Sequence, residues 1–96
     1  MKNIIDVVVT RHPALLEYLQ ELGMTTAETA VISHASPEAI RGLHVCGVLP
    51  HSLSALTESF TEIPLSIPPE LRGVELTLTQ LRQYAGAPAT YHVEVV

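Results

Sequence analysis

The chain is poor in positive charge. Five Lys and Arg residues stand against ten Asp and Glu, a formal net charge of −5. A field of that sign repels a long polyanion and argues against general binding of duplex DNA or RNA. It leaves room for a small anion, because one or two arginines focused in a pocket act locally. The single cysteine, Cys46, cannot close an internal disulfide, whereas small secreted domains usually carry several. No stretch approaches the roughly 18 consecutive apolar residues of a membrane span. The N-terminus holds one lysine and then the short apolar run 4–9, broken by Asp6, so no signal peptide is expected and the cytoplasm is the expected compartment. GxGxxG, Walker, HExxH and CxxC patterns are all missing, and the five histidines are scattered without ligand spacing. Neither a metal nor a cofactor is therefore expected.

What the chain does have is apolar surface, with 47% hydrophobic against 16% charged residues. That balance describes a globular protein. At 96 residues there is room for one domain over residues 1–96, burying roughly 60–65% of its unfolded surface. So apolar a chain has too little polar surface to cover its core. An apolar face covered by a second copy, and hence a homodimer, is the expectation.

Hydrophobic periodicity predicts alternating strands and helices. Residues 4–9 form a short, β-branched run suited to a strand buried on both faces of a parallel sheet. Pro13 is well placed to open a helix with Leu15, Leu16, Leu19 and Leu22 on its apolar side, ended by Gly23. Ala30-Val31-Ile32 reads as a second strand, followed by a short helix around residues 37–40. A third strand is expected over residues 44–49, then a helix marked by Leu53, Leu56 and Phe60. Ile63, Leu65 and Ile67 alternate as a fourth strand, which Pro64 pushes toward an edge or a bulge. Thr77-x-x-Gln80 is a capping box opening a helix with Leu78 and Leu81 inward, closed by Gly86. Tyr91, Val93 and Val95 alternate in a last strand. The result is an α/β fold with a mainly parallel sheet of about five strands and flanking helices.

In open α/β sheets ligands bind beyond the carboxyl ends of the strands. Four segments should meet there: Thr10-Arg11-His12, Ser33-His34, Leu49-Pro50-His51 and residues 66–72. The first puts a hydroxyl, a guanidinium and an imidazole at a helix start, whose N–H groups and dipole favour an anion. Arginine adds a planar fork matched to phosphate oxygens, and the His12 imidazole is a candidate proton shuttle. Structural roles stand beside these. Thr10 and His12 are also good helix caps, and Arg11 is within sequence reach of Glu17. Arg72 suits an ordinary loop, and His34 and His51 suit solvated strand ends. His44, His92 and Cys46 fit strand positions as structural residues. Gly47 fits a place where a ligand or another backbone comes close, or a small residue where strand meets helix.

Three motifs together resemble a known family. Val9-Thr10-Arg11-His12-Pro13, with Ala14 and Glu17-Tyr18-Leu19, is the first; Gly47-Val48-Leu49-Pro50 is the second. The third is Pro69-Glu70-Leu71-Arg72-Gly73-Val74-Glu75-Leu76-Thr77. In this order they resemble the small single-domain CRISPR-associated proteins that accompany type III systems and are grouped with the ring nucleases. The chain departs from the family pattern at His44 and Val45-Cys46, where an acidic residue and an aliphatic pair are usual, and at Tyr18, where tryptophan is common. The resemblance implies a Rossmann-like homodimer that binds and cleaves cyclic tetra-adenylate, switching off type III antiviral signalling. It implies Arg11 and His12 as catalytic residues, Arg11 on the scissile phosphate and His12 in proton transfer. Thr10, Gly47, Leu49, Pro50, Ser66 and Arg72 would bind the ring. A two-fold pair would present Arg11 and Arg72 twice, four cations for four phosphates. A non-catalytic sponge for the same ring, or a CRISPR accessory subunit that binds only protein, are the alternatives.

Overall fold

The computed structural model describes residues 5–96. Among them five strands and four α-helices follow one another: β1 (Val7–Val9), α1 (Pro13–Glu21), β2 (Ala30–Ile32), α2 (Pro37–Ile40), β3 (His44–Gly47), α3 (His51–Ser54), β4 (Ser59–Glu62), α4 (Leu78–Tyr84) and β5 (Ala89–Tyr91). A single 3-10 turn, Pro69–Leu71, precedes α4. The strands form one sheet in the order β2-β1-β3-β4-β5. The first four run parallel, and β5 lies antiparallel to β4. This is a small Rossmann-like α/β fold: the alternation of strand and helix patterns predicts its mainly parallel sheet, and the family resemblance implies its Rossmann-like arrangement.

Period-2 burial explains the layers. Val8 and Cys46, both fully buried, point to one face and pack with Ile5 and with Leu19 of α1. Val7, Val9 and Val45 point to the other face and pack with Ile40 of α2 and the half-buried Leu53 of α3. The continuous apolar run of β1 is thus a central strand covered on both sides, and the strand reaches residues 7–9; Ile4 of the expected strand lies outside the described residues. Leu19 has no exposed surface, and burying such a side chain contributes roughly 1.5–3 kcal/mol. Asp6, which breaks the apolar run, accepts a hydrogen bond from the His44 N–H at 2.8 Å and so ties the start of β1 to that of β3.

α1 begins with Pro13 in its first turn and ends where Gly23 adopts φ 75°, a left-handed turn that glycine enters without a Cβ penalty. α4 opens with the complete capping box: the Gln80 N–H donates to Thr77 Oγ1 at 3.2 Å, and the Thr77 N–H donates to Gln80 Oε1 at 3.0 Å. α4 rests beside α1 through Ala14, Leu76 and Leu81, and Arg82 grips the Glu21 carboxylate with two donors. No described helix is long and apolar enough to cross a membrane.

The chain differs from expectation in several places, and the third strand already stops at Gly47 instead of reaching Leu49. The fourth strand is Ser59–Glu62 rather than the alternating Ile63, Leu65 and Ile67. Pairing with β3 fixes this register, with Val45 opposite Phe60 and Cys46 opposite Thr61, and Pro64 has no N–H for a ladder. Phe60 therefore belongs to β4, and α3 stops after one turn at Ser54, where the Thr57 hydroxyl takes up the Ser54 carbonyl at 2.7 Å. The last strand is Ala89–Tyr91, held to β4 by the Thr61–Thr90 hydroxyl pair, and stops short of Val93 and Val95. Leu22, expected on the apolar side of α1, is 42% exposed, because the helix ends beneath it. α4 ends at Tyr84 with Ala85 as its cap, so Gly86 follows it as Gly23 follows α1.

Candidate functional site

The strand order creates a crevice. From β1 the chain turns to β2 on one side, whereas β3 and β4 lie on the other, so the connections leaving the C-terminal ends of β1 and β3 run in opposite directions. Such a topological switch point is where open α/β sheets hold ligands. A cavity of about 580 Å³ opens at this place. Thr10, Arg11 and His12 reach it from the end of β1, Ser33 from the end of β2, and Gly47 and Val48 from the end of β3. Leu15 of α1, Leu81 of α4 and the segment carrying Ile63, Ile67 and Leu76 supply an apolar wall. No Asp or Glu lines it, although the chain carries ten of them.

Local hydrogen bonds set the polar side. The Thr10 N–H donates to the Ile32 carbonyl at 2.9 Å, carrying the β1–β2 ladder one step past the strands. The Thr10 hydroxyl accepts from the His12 N–H at 3.0 Å, a tight turn that delivers the chain to α1. Because Pro13 has no N–H and that of His12 is taken, two donors expected at the helix start are unavailable. The polar groups offered to a ligand are therefore mainly side chains. The His12 ring makes no capping bond and is exposed. Arg11 does not pair with Glu17. The ion pairs among the described residues are Arg82–Glu21 and His92–Glu94, whereas Arg11 Nη2 lies 3.4 Å from His34 Nε2.

Gly47 has a specific reason. Its φ is 145°, and a Cβ built there would stand 2.3 Å from the Val9 carbonyl oxygen. The close neighbour is thus the backbone of β1, and glycine lets the two strand ends approach beside the cavity. Leu49 leaves the cavity and packs on the opposite face with Val7, Val9, Ile40 and Val45. Pro50 stands before α3, its carbonyl accepting from the Leu53 and Ser54 N–H groups at 3.0 Å each. Ser66 is exposed and donates its N–H to the Tyr84 carbonyl at 3.0 Å, between the lining residues Leu65 and Ile67. Arg72 is exposed at the end of the 3-10 turn, next to the lining residue Gly73. Thr10, Arg11, His12 and Gly47 thus share the cavity wall; Leu49, Pro50, Ser66 and Arg72 do not.

The remaining candidates lie elsewhere. His51 opens α3, and His44 Nδ1 meets the Ser59 hydroxyl at 2.7 Å at the opposite edge of the sheet. The Cys46 thiol is pushed up to about 12 by burial, which keeps it protonated and inert at neutral pH. Among the described residues no group of three or more His, Cys, Asp or Glu converges to hold a metal ion. Sequence reasoning missed the apolar wall. The alternation of Ile63, Leu65 and Ile67 was its signal, and it reads as strand until Pro64 and the β3 register reassign it.

These features define a candidate site at the switch point of a Rossmann-like fold. The family model described as "Putative CRISPR-associated protein (Cas_VVA1548)" matches residues 7–94, nearly the whole chain, and the protein belongs to that CRISPR-associated family. No curated protein and no solved structure matches it.

Proposed function

We propose that this protein is a ring nuclease that binds cyclic tetra-adenylate at the switch-point cavity and opens it, ending a type III antiviral signal. The observation that carries the reading is the composition of the cavity. In a chain of net charge −5, its wall holds one guanidinium, an imidazole and two hydroxyls, with no carboxylate. Phosphate suits the polar side, and adenine rings suit the apolar wall. Membership of a CRISPR-associated family supports a nucleotide signal over other phosphorylated compounds.

Size supports a two-fold pair. A nucleotide packed at interior density fills roughly 300 Å³, so a cavity of about 580 Å³ accommodates two of four. Val48, 87% exposed, Val74, 51%, and Leu65, 41%, surround the opening as apolar surface for a second copy to cover. Each copy then contributes Arg11 at one pair of phosphates, with Arg72 flanking.

The chemistry uses the ring's own nucleophile. A ribose 2′-oxygen attacks the adjacent phosphorus, its proton passing to solvent; the bond to the 5′-oxygen breaks, and His12 protonates that oxygen. The product is a linear chain ending in a 2′,3′-cyclic phosphate and a 5′-hydroxyl. Alignment is worth much here, because intramolecular attack in a fixed geometry removes most of the entropic barrier. Arg11 stabilises the charge gathering on the phosphorane-like transition state, where one lost contact costs about 10²–10³ in rate. His12 adds roughly 10²-fold or more.

The deciding experiment incubates purified protein with labelled cyclic tetra-adenylate and with its 2′-deoxy analogue, in excess EDTA. The proposal expects the first to be cut to a 2′,3′-cyclic phosphate and the second to be retained intact. Retention of both rings uncut makes the protein a sequestering sponge. No retention of either refutes ring binding and leaves the apolar rim as a docking surface.

A further inference from the structure

We infer that His34 is a positioning residue for Arg11, holding its guanidinium at the cavity mouth through an imidazole in the Nδ1–H tautomer. The inference deepens the ring-binding reading but stands on geometry independent of it. β1 and β2 pair in parallel with Val7 opposite Ala30, Val8 opposite Val31 and Val9 opposite Ile32, a constant offset of 23 positions. Arg11 and His34 keep that offset two residues beyond the ladder, and the Thr10 N–H to Ile32 carbonyl bond carries the register between. The register therefore delivers the two side chains to each other, and Arg11 Nη2 meets His34 Nε2 at 3.4 Å.

Arginine fixes the chemistry of this contact. Its guanidinium offers five donors and no acceptor, and it does not deprotonate in proteins. The facing imidazole nitrogen must accept, so its proton resides on Nδ1, and only the neutral ring satisfies the contact. Arg11 has no carboxylate partner among the described residues, so this interaction restrains a side chain with several rotatable bonds. A restrained guanidinium loses less freedom when it meets a phosphate. His34 itself is not in the cavity wall and acts through Arg11.

Two readouts test this. In the ligand-free protein, two-bond proton–nitrogen correlation spectra should show His34 as the Nδ1–H tautomer. Arg11→Ala should return it to the Nε2–H form that free histidine favours. An Nε2–H ring in the parent, or a tautomer that ignores Arg11→Ala, overturns the inference. In ring binding and single-turnover cleavage, His34→Ala should lose roughly three- to tenfold, the range of one ordinary hydrogen bond. His34→Gln, whose amide oxygen accepts the same N–H, should restore most of it, with both variants melting like the parent. A His34→Ala variant as active as the parent also overturns it. If the parent neither binds nor cuts the ring, the ring-nuclease reading fails alone, and the tautomer experiment decides the role of His34.

Discussion

Gly47→Ala is the sharpest test of how the strands frame the cavity. The added Cβ would sit 2.3 Å from the Val9 carbonyl oxygen and 3.1 Å from its carbon, where ordinary contact begins at 3.4 Å. The obstacle is backbone, in the central strand of the sheet, and Val9 is the partner of Gly47 in the ladder, so no side-chain rotation relieves it. Overpacking of this kind costs roughly 1–3 kcal/mol, and a non-glycine residue at φ 145° adds strain of about 1–3 kcal/mol. A combined loss of roughly 2–6 kcal/mol is a large part of the stability of a domain this size. The midpoint of thermal unfolding should fall by at least about 10 °C. Gly23→Ala is the control: φ is 75°, but nothing lies within 4 Å of the new Cβ, so only the left-handed strain of about 1–2 kcal/mol applies. Circular dichroism melts of both variants check the argument. Equal melting points would refute the close approach of β1 and β3, and with it the account of why glycine stands at the site.

Cys46 should resist a thiol reagent in the native protein and react only on unfolding; labelling at the rate of an exposed thiol would refute its burial. Burial raises its pKa from 9.0 to about 12, so its contribution to stability is complete below pH 9 and falls as pH rises through that window, at up to about 1.4 kcal/mol per unit. Urea midpoints from pH 8 to 11 should therefore decline, and Cys46→Ala should flatten the decline. Arg11→Ala should weaken ring binding by roughly 1.5–3 kcal/mol, the value of a charged hydrogen bond, and Arg72→Ala by less, because Arg72 flanks the cavity. Isothermal titration measures both, and the reverse order would place the phosphate nearer the 3-10 turn. Light scattering at micromolar concentration should report twice the chain mass of 10.4 kDa; a monomer with a whole ring bound would overturn the two-fold pair.

Local chemistry made the first half of the fold legible. Pro13 and Gly23 bracket α1, Ala30–Ile32 is β2 to the residue, and Pro37–Ile40 is α2. The second half hid because its signals are local and its answer is not. Ser59-Phe60-Thr61-Glu62 alternates weakly as a strand, and only pairing with buried Val45 and Cys46 selects it over the better alternation that follows. The polar side of the cavity was legible for a related reason. Strand ends can be read from where apolar runs stop, and β1 and β2 stop at Thr10 and Ser33. Nothing in the sequence indicates that Leu49, two residues past Gly47, crosses to the other face of the sheet. Nor does it pair Arg11 with His34, which follows from the β1–β2 register.

An acidic protein with the proposed anion site is consistent once the charges are located. Arg82 is occupied by Glu21 and Arg41 caps the end of α2, away from the cavity. Arg11 stands at the cavity without a carboxylate beside it or along the wall. Exposed charges more than about 8–10 Å away are largely screened at physiological salt, so the acidic exterior barely weakens a contact within the crevice. The apolar wall of Leu15, Ile63, Leu76 and Leu81 strengthens that contact. Two unit charges 4 Å apart interact by about 4 kcal/mol at an effective dielectric near 20, against about 1 kcal/mol in bulk water. The same carboxylates act on anything extending past the opening. A long RNA must run along a negative surface, whereas the proposed ring would put its phosphates at the mouth and its bases against the apolar wall. Under the proposed function, the net charge and the Arg11 cation therefore work together, favouring a small closed anion over a polymer of the same nucleotides.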